Sequence, residues 1–230
     1  MKVAIMQPYF FPYIGYFSLI KVVDLFIFYD DVNYIKGGWV NRNRILINSE
    51  AKYLTLNVKN GSQNKLINEI EFDDNRQKLL KTIELNYKKA PYFKQVWPLL
   101  ETNLKLKTTS LADIAINSVR SVTNYLGMQT KFEISSVSYP ETKGLERSER
   151  LKQICRKTHA DTYINAIGGI DLYDKNDFLK NHINLQFLKP QLLQYKQYKE
   201  TFIPGLSIID VLMFNSIEEI NKMLESYKLT

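Results

Sequence analysis

The chain has 230 residues, 45% hydrophobic and 24% charged, with 31 basic against 24 acidic side chains for a net charge of +7. A chain of this size buries roughly 70% of its unfolded surface; its composition excludes disordered, collagen-like and coiled-coil classes, and no apolar run approaches the ~20 residues that span a bilayer. One cysteine, Cys155, and two distant histidines, His159 and His182, exclude a disulfide framework, a CxxC site and a histidine-rich metal cluster, so a metal, if used, is held by oxygen.

Residues 3–7 form a short apolar run ended by Pro8, the pattern of a buried strand. The apolar opening is too short for a signal-peptide core and lacks a small-residue cleavage site, which points to the cytoplasm. Beyond Pro8 and Pro12, Gly15 opens a stretch with Phe17, Leu19, Ile20 and Val23 at helical spacing. Residues 24–29 are β-rich and nearly all apolar, as a strand covered on both faces is. A right-handed crossover makes these two strands parallel neighbours, with their carboxyl ends on one sheet edge.

A polar loop over residues 30–44 follows, long enough to suggest function. Residues 45–47, 53–58 and 67–72 read as strands, the middle one alternating Tyr53, Thr55 and Asn57 against Leu54, Leu56 and Val58. Helical periodicity covers residues 76–89 until Pro91, then 92–104 with Pro98 inside, then 110–126 with Gly127 as its C-terminal cap. Alternation returns with a strand at 132–136, a helix at 146–157, a strand at 163–166 leading to Gly168-Gly169, and a strand at 183–188. Residues 207–214 and 217–227 read as closing helices. The pattern predicts one α/β domain over residues 1–230 with a mostly parallel sheet and a helical insert from about 74 to 130.

Ligands in such sheets bind beyond the carboxyl ends of the strands. The first exit carries Gln7, Pro8, Tyr9, Tyr13, Gly15 and Tyr16, where a glycine admits close backbone approach and phenols offer hydrogen bonds; core packing would also explain the aromatics. Asp30-Asp31 ends the second strand. Such a pair can hold magnesium against a phosphate or supply a general base, and it can equally cap a turn. Asn33, Tyr34, Lys36 and Trp39 follow within reach. Asn41-Arg42-Asn43-Arg44 offers two guanidiniums for bidentate anion binding, or a solvated loop. Later candidates are Lys143 before a helix, Asn165 with Gly168 and Gly169 at a strand exit, and Ser207, whose Ser-x-x-acid capping pattern with Asp210 favours helix initiation. Cys155 and His159 lie four apart on one helix without an acidic orienter and read as structural. The positive excess suits anionic partners, or solubility alone. Five of the 15 tyrosines, Tyr9, Tyr13, Tyr16, Tyr29 and Tyr34, fall in the first 34 residues. A basic helix or aromatic strand signature for nucleic acid is missing.

Residues 6–17, 28–34 and 39–43, with 163–169 and 206–210, together resemble the WbqC-like family over essentially the whole chain. That resemblance implies a bacterial cytoplasmic protein encoded among genes for O-antigen or other surface polysaccharides. Residues 12–20 are also similar to the His-x-Gly-His turn of nucleotidylyltransferases and pantothenate synthetase, with Tyr13 and Tyr16 at the histidine positions, and Ser207 stands for a second phosphate-binding turn. This implies a Rossmann-like, nucleotidylyltransferase-like sheet. A neutral tyrosine lacks the charge of an imidazolium, so Arg42, Arg44, Lys143 or magnesium would supply it. The expected function is transfer of an acyl or aminoacyl group to a nucleotide-activated amino sugar, with ATP or magnesium as possible cofactors. In it, Tyr13, Tyr16 and Arg42 hold phosphate, and Asp30 or Asp31 takes a proton or binds the metal. The alternative is a non-catalytic module binding a nucleotide sugar or a partner enzyme.

Overall fold

β1 (Lys2–Met6) and β2 (Leu25–Phe28) are the buried apolar runs at the centre of a six-stranded sheet, paired in parallel from Val3 opposite Leu25 to Met6 opposite Phe28. All four residues of β2 are buried, as its unbroken apolar run requires. The helix α1 (Ile14–Lys21) joins them. The computed structural model describes residues 1–198 and 201–230.

After β2 the chain leaves the sheet. β3 (Arg42–Ile47) and β4 (Glu50–Thr55) form a separate antiparallel hairpin. Its two-residue turn, Asn48 and Ser49, takes φ of 53° and 62°, the left-handed pair that a type I′ turn needs to match strand twist. Leu54 and Leu56 are buried, while Tyr53 and Asn57 are exposed, as the alternation predicts. The expected strand at 67–72 is instead a 3-10 turn, Ile67–Glu69, followed by single bridges from Glu71 to Ser110 and from Phe72 to Val58. Ile67 and Ile70 are both buried three residues apart, a helical spacing, and the Glu69 carboxylate accepts the Leu66 amide at 2.9 Å.

Three helices follow: α2 (Arg76–Tyr87), α3 (Phe93–Leu104) and α4 (Leu111–Tyr125). The Ser110 hydroxyl caps α4 by accepting from the Asp113 amide, and Gly127 ends it at φ 70°. The chain then re-enters the sheet through β5 (Lys131–Ile134), which runs into the single turn α5 (Ser135–Ser138), a 3-10 turn at Pro140–Thr142 and α6 (Arg147–Lys157). β6 (Thr162–Ala166), a 3-10 turn at Ile167–Leu172, α7 (Lys175–Leu179) and β7 (Asn184–Pro190) come next. The chain closes with α8 (Ile208–Phe214), α9 (Ile217–Leu224) and β8 (Tyr227–Leu229). The last helix is shorter than its apolar pattern suggests, because residues 227–229 pair antiparallel with β7.

The strand order is β5-β2-β1-β6-β7-β8, parallel except for β8. The fold is thus a mixed α/β, Rossmann-like one. One face packs Ala4, Phe26 and Phe28 with residues of α1, α4, α8 and α9; the other packs Val3, Ile5, Leu25 and Ile27 with residues of α6 and α7. Cys155 lies inside the second core, where burial pushes its thiol up to about 12, so it is a packing residue. His159 and His182 take φ of 54° and 59° just after α6 and α7, positions that glycine usually fills. No helix among the described residues is long and apolar enough to cross a membrane.

Candidate functional site

From β1 the chain builds outward first through β2 to β5, then on the other side through β6 and β7. The reversal lies between β1 and β6, the place at the carboxyl edge of such a sheet where a ligand crevice is expected.

One wall is the turn from Gln7 to Tyr13. Its shape is held by Phe11, a fully buried residue at φ 41°. The Phe11 amide donates to Ser118 Oγ at 3.0 Å, and its carbonyl accepts from Asn43 Nδ2 at 2.9 Å and Ser207 Oγ at 2.7 Å. Three side chains from three elements therefore hold a left-handed aromatic residue that an isolated peptide would avoid. Asn43 and Ser207, two expected ligand contacts, are locks on this turn.

Several other expected contacts are drawn inward. Tyr16 is 3% exposed, and its hydroxyl donates to the Gln7 carbonyl at 2.8 Å. Burial pushes that phenol well above 10, so Tyr16 is a neutral brace of the core and not a phosphate ligand. Gly15 is needed for packing and not for ligand approach: a Cβ there would meet the Tyr13 ring at 2.5 Å and Pro190 at 2.7 Å. The cavity beside it, lined in part by Ile14, Leu192, Gly205 and Leu206, has about 20 Å³, room for one water and not for a phosphate. The residues at this turn do not fit the triphosphate of ATP as the His-x-Gly-His turn would. The Tyr34 hydroxyl donates to Asn41 Oδ1 at 2.9 Å, and Asn41 Nδ2 donates to the Leu56 carbonyl, so both are buried stitches of the loop. Asn33 donates to the Gln63 carbonyl, and Lys36 is exposed. Pro8 is buried; Gln7, Tyr9 and Tyr13 are half-buried along the wall.

The floor at the end of β2 is a closed knot. Asp30 Oδ1 accepts from Ser135 Oγ at 3.1 Å and the Ser136 amide at 3.0 Å; its Oδ2 accepts from Ser136 Oγ at 2.6 Å and Asn68 Nδ2 at 3.3 Å. Ser135 Oγ is also within hydrogen-bond reach of Asp31 Oδ1, so its single proton is shared between the two carboxylates, and Asp31 Oδ2 pairs with Arg150 Nη2 at 2.5 Å. Arg150 also donates to Thr142 Oγ1 at 3.1 Å, and its guanidinium lies 4.6 Å from the Tyr29 ring centre. Both aspartates are 4% exposed. Five protein donors already engage their oxygens, the Ser135 hydroxyl shared between them, and no third carboxylate, histidine or cysteine joins them in a metal-holding group among the described residues. The pair does not fit a magnesium ion, and both carboxylates are already engaged by protein donors.

The opposite wall leaves β6. Asn165 is 6% exposed; its Oδ1 accepts the Ala166 amide at 2.8 Å, while its Nδ2 makes no hydrogen bond among the described residues. Gly169 is packed against it, since a Cβ there would stand 2.6 Å from Asn165 Nδ2; at Gly168 a Cβ would meet nothing within 4 Å. Gly169→Ala is accordingly expected to cost about 1–3 kcal/mol by forcing Asn165 aside, and Gly168→Ala to stay within about 0.5 kcal/mol. Urea denaturation of the two variants checks the contrast; equal effects would remove the packing argument. Tyr173, half-buried, is raised by burial despite the charge of Arg147. Tyr29, at the end of β2, is pushed up to about 12 by burial, with Arg150 pulling the other way. Both phenols are neutral donors near pH 7. Lys143 and Arg147 are exposed before and at the start of α6.

The strand exits at this edge carry Gln7, Tyr9 and Tyr13 after β1, Tyr29 after β2, and Asn165, Gly168, Gly169 and Tyr173 at and after the end of β6, with Lys143 and Arg147 exposed beyond β5. Trp39, Arg42 and Arg44 belong to the loop and hairpin beyond the turn. Tyr29 and Arg150 were visible in sequence only as flanks of the acid pair and of a basic helix start, and Tyr173 carried no signal. A wider groove of about 690 Å³, lined in part by Lys21, Asp24, Gly127 and Lys131, lies at the amino ends of β2 and β5 and includes none of the candidate residues.

The family model described as WbqC-like protein family matches residues 7–222. The chain is 32% identical over 220 residues to the uncharacterized protein Rv1507c of Mycobacterium tuberculosis, covering 93% of each chain. No solved structure matches.

Proposed function

The chain belongs to the WbqC-like protein family, and from that premise and the crevice we propose that it is a cytoplasmic transferase of bacterial surface polysaccharide assembly, acting on a nucleotide-activated amino sugar and acylating or aminoacylating its amine. The observation that carries this reading is the strand-order reversal between β1 and β6, with neutral donors at the neighbouring strand exits and the exposed Lys143 and Arg147 beyond β5. Lys143 and Arg147 meet the phosphates; Asn165 Nδ2, the Gln7 amide and the phenols of Tyr13 and Tyr29 hold sugar hydroxyls. Because Asp30 and Asp31 are committed to protein donors, their part is to hold the floor rigid. An unprotonated amine attacks the acyl carbon, the new C–N bond replaces the bond to the leaving group, and the amine proton departs with that group. The chain contributes orientation, which is a large share of such a barrier.

The committed state of both carboxylates favours a second reading, a nucleotide-sugar-binding module without turnover. One experiment separates the two. Amino-sugar nucleotides are incubated with acyl-CoA, or with ATP and amino acids, and the acceptor is weighed by mass spectrometry alongside a thermal-shift titration. A mass increase that Asn165→Ala lowers supports the transferase. Stabilisation without any modified acceptor supports the module, and neither result would sink both readings.

A further inference from the structure

Arg42 and Arg44 lie two apart on β3 and so share a face; Tyr53 stands directly opposite Arg44 in the hairpin ladder and shares it too. The Arg42 guanidinium sits 4.3 Å from the Tyr53 ring centre, and the Trp39 ring is 6.1 Å from Tyr53, tilted by 42°. Trp39 is 41% and Tyr53 49% exposed, an unusual placement for two large rings in contact.

No carboxylate among the described residues neutralises the charges on this face. Arg42 donates from Nε to the Gly38 carbonyl at 3.1 Å and from Nη2 to the Gly37 carbonyl, which fixes its fork against the loop. Among the described residues, Arg44 Nη2 reaches the Gly205 carbonyl at 3.5 Å and its Nε is buried without a partner. No carboxylate lies within ion-pair distance of either arginine among the described residues. The remaining N–H groups and the charge of the Arg44 guanidinium are what a bound anion would satisfy.

We propose that this hairpin face is a nucleotide-binding site: the base stacks on Tyr53 and Trp39, and the phosphate is held by Arg44 with the remaining N–H groups of Arg42. Flat rings with adjacent guanidiniums suit a flat ring bearing a phosphate. The site lies outside the crevice, where Lys143 and Arg147 are the proposed phosphate contacts, and stands independently of the transferase reading.

Trp39 is the reporter. The other tryptophan, Trp97, is half-buried and stacked on Phe93 at 5.1 Å, and Trp97→Phe leaves the emission of Trp39 alone. In that background the protein is titrated with uridine 5′-monophosphate, adenosine 5′-monophosphate, uridine, inorganic phosphate and glucose 1-phosphate. Saturable quenching by the two nucleotides is expected, tighter than by any of the other three. Tyr53→Ala and Arg44→Gln should each weaken it about tenfold, as loss of one stacking or phosphate partner does, with circular dichroism unchanged. Asn165→Ala, in the crevice, should leave it intact. The assignment is overturned by no saturable quench up to about 10 mM, by unchanged affinity in Tyr53→Ala and Arg44→Gln, or by tighter binding of glucose 1-phosphate than of either nucleotide. Nucleotide quenching with no acceptor ever modified sinks the transferase and leaves this site.

Discussion

Arg150→Met is expected to destabilise the protein by about 3–5 kcal/mol, the cost of leaving one member of a buried ion pair alone. The side chains of Arg150 and Asp31 are 5% and 2% exposed, and their contact is 2.5 Å. Without the guanidinium, Asp31 keeps only the Ser135 hydroxyl, while Thr142 and the Tyr29 ring lose their neighbour. Methionine fills much of the volume but offers no donor. Urea denaturation should show a lower midpoint with an unchanged slope. Asp31→Asn alone should cost a similar amount, whereas the double variant should cost clearly less than the sum, because neither charge is then stranded. Arg147→Met, on the exposed first turn of the same helix, should remain within about 0.5 kcal/mol. A loss below about 1 kcal/mol for Arg150→Met would mean that the knot does not hold the crevice floor.

The second large effect concerns Asp210, on the first turn of α8 and fully buried. Its carboxylate accepts from the Tyr87 hydroxyl at 2.8 Å, the Tyr195 hydroxyl at 2.6 Å and Gln197 Nε2 at 2.9 Å. Tyr87 in turn accepts the Leu46 amide at 2.8 Å, so one carboxylate joins α8, α2, the hairpin and the segment after β7. Asp210→Ala strands three donors and is expected to cost about 3 kcal/mol or more, at ~1–3 kcal/mol for each unsatisfied buried group with partial relaxation. Burial raises the Asp210 carboxyl above its ordinary value, outweighing the three donors that lower it. A raised acid contributes stability that is full below the unfolded value, near 3.9, and is lost as pH climbs through the folded value. Wild type should therefore lose stability relative to Asp210→Asn as pH rises from about 4. Parallel urea titrations across that range test it; a wild type that gains on the variant with rising pH would reverse the sign and remove burial as the dominant cause.

These two carboxylates show where sequence reading stops. Asp31 and Asp210 both stand out in sequence, one in an acid pair at a strand exit and one in a capping pattern. Neither position says that its partner is Arg150, 119 residues away, or Tyr87, 123 residues away. A pair of acids at a strand end looks alike whether it faces a ligand or a protein cation. The same holds for Tyr13, Gly15 and Tyr16, whose spacing resembles a nucleotide-binding turn while Tyr16 and Gly15 are turned inward by Gln7 and Pro190.

The order of elements was legible because burial repeats at every second or every third to fourth residue, and that period depends only on local backbone geometry. It identified β1, β2, β6 and β7, the helices α1 to α4 and α6, and the hairpin alternation that sets Tyr53 apart from Leu54. It failed at residues 67–72, where a helical spacing over one turn resembles a short strand, and at β8, whose three residues owe their extended form to β7. From the amino-acid sequence alone came the α/β class, the family and the set of polar residues gathered near strand exits. Tertiary structure alone decided which of these face a crevice, which brace a turn and which share the outer hairpin face. Hydrogen bonds between distant side chains depend on strand order and not on local period, and no local pattern in the chain carries that information.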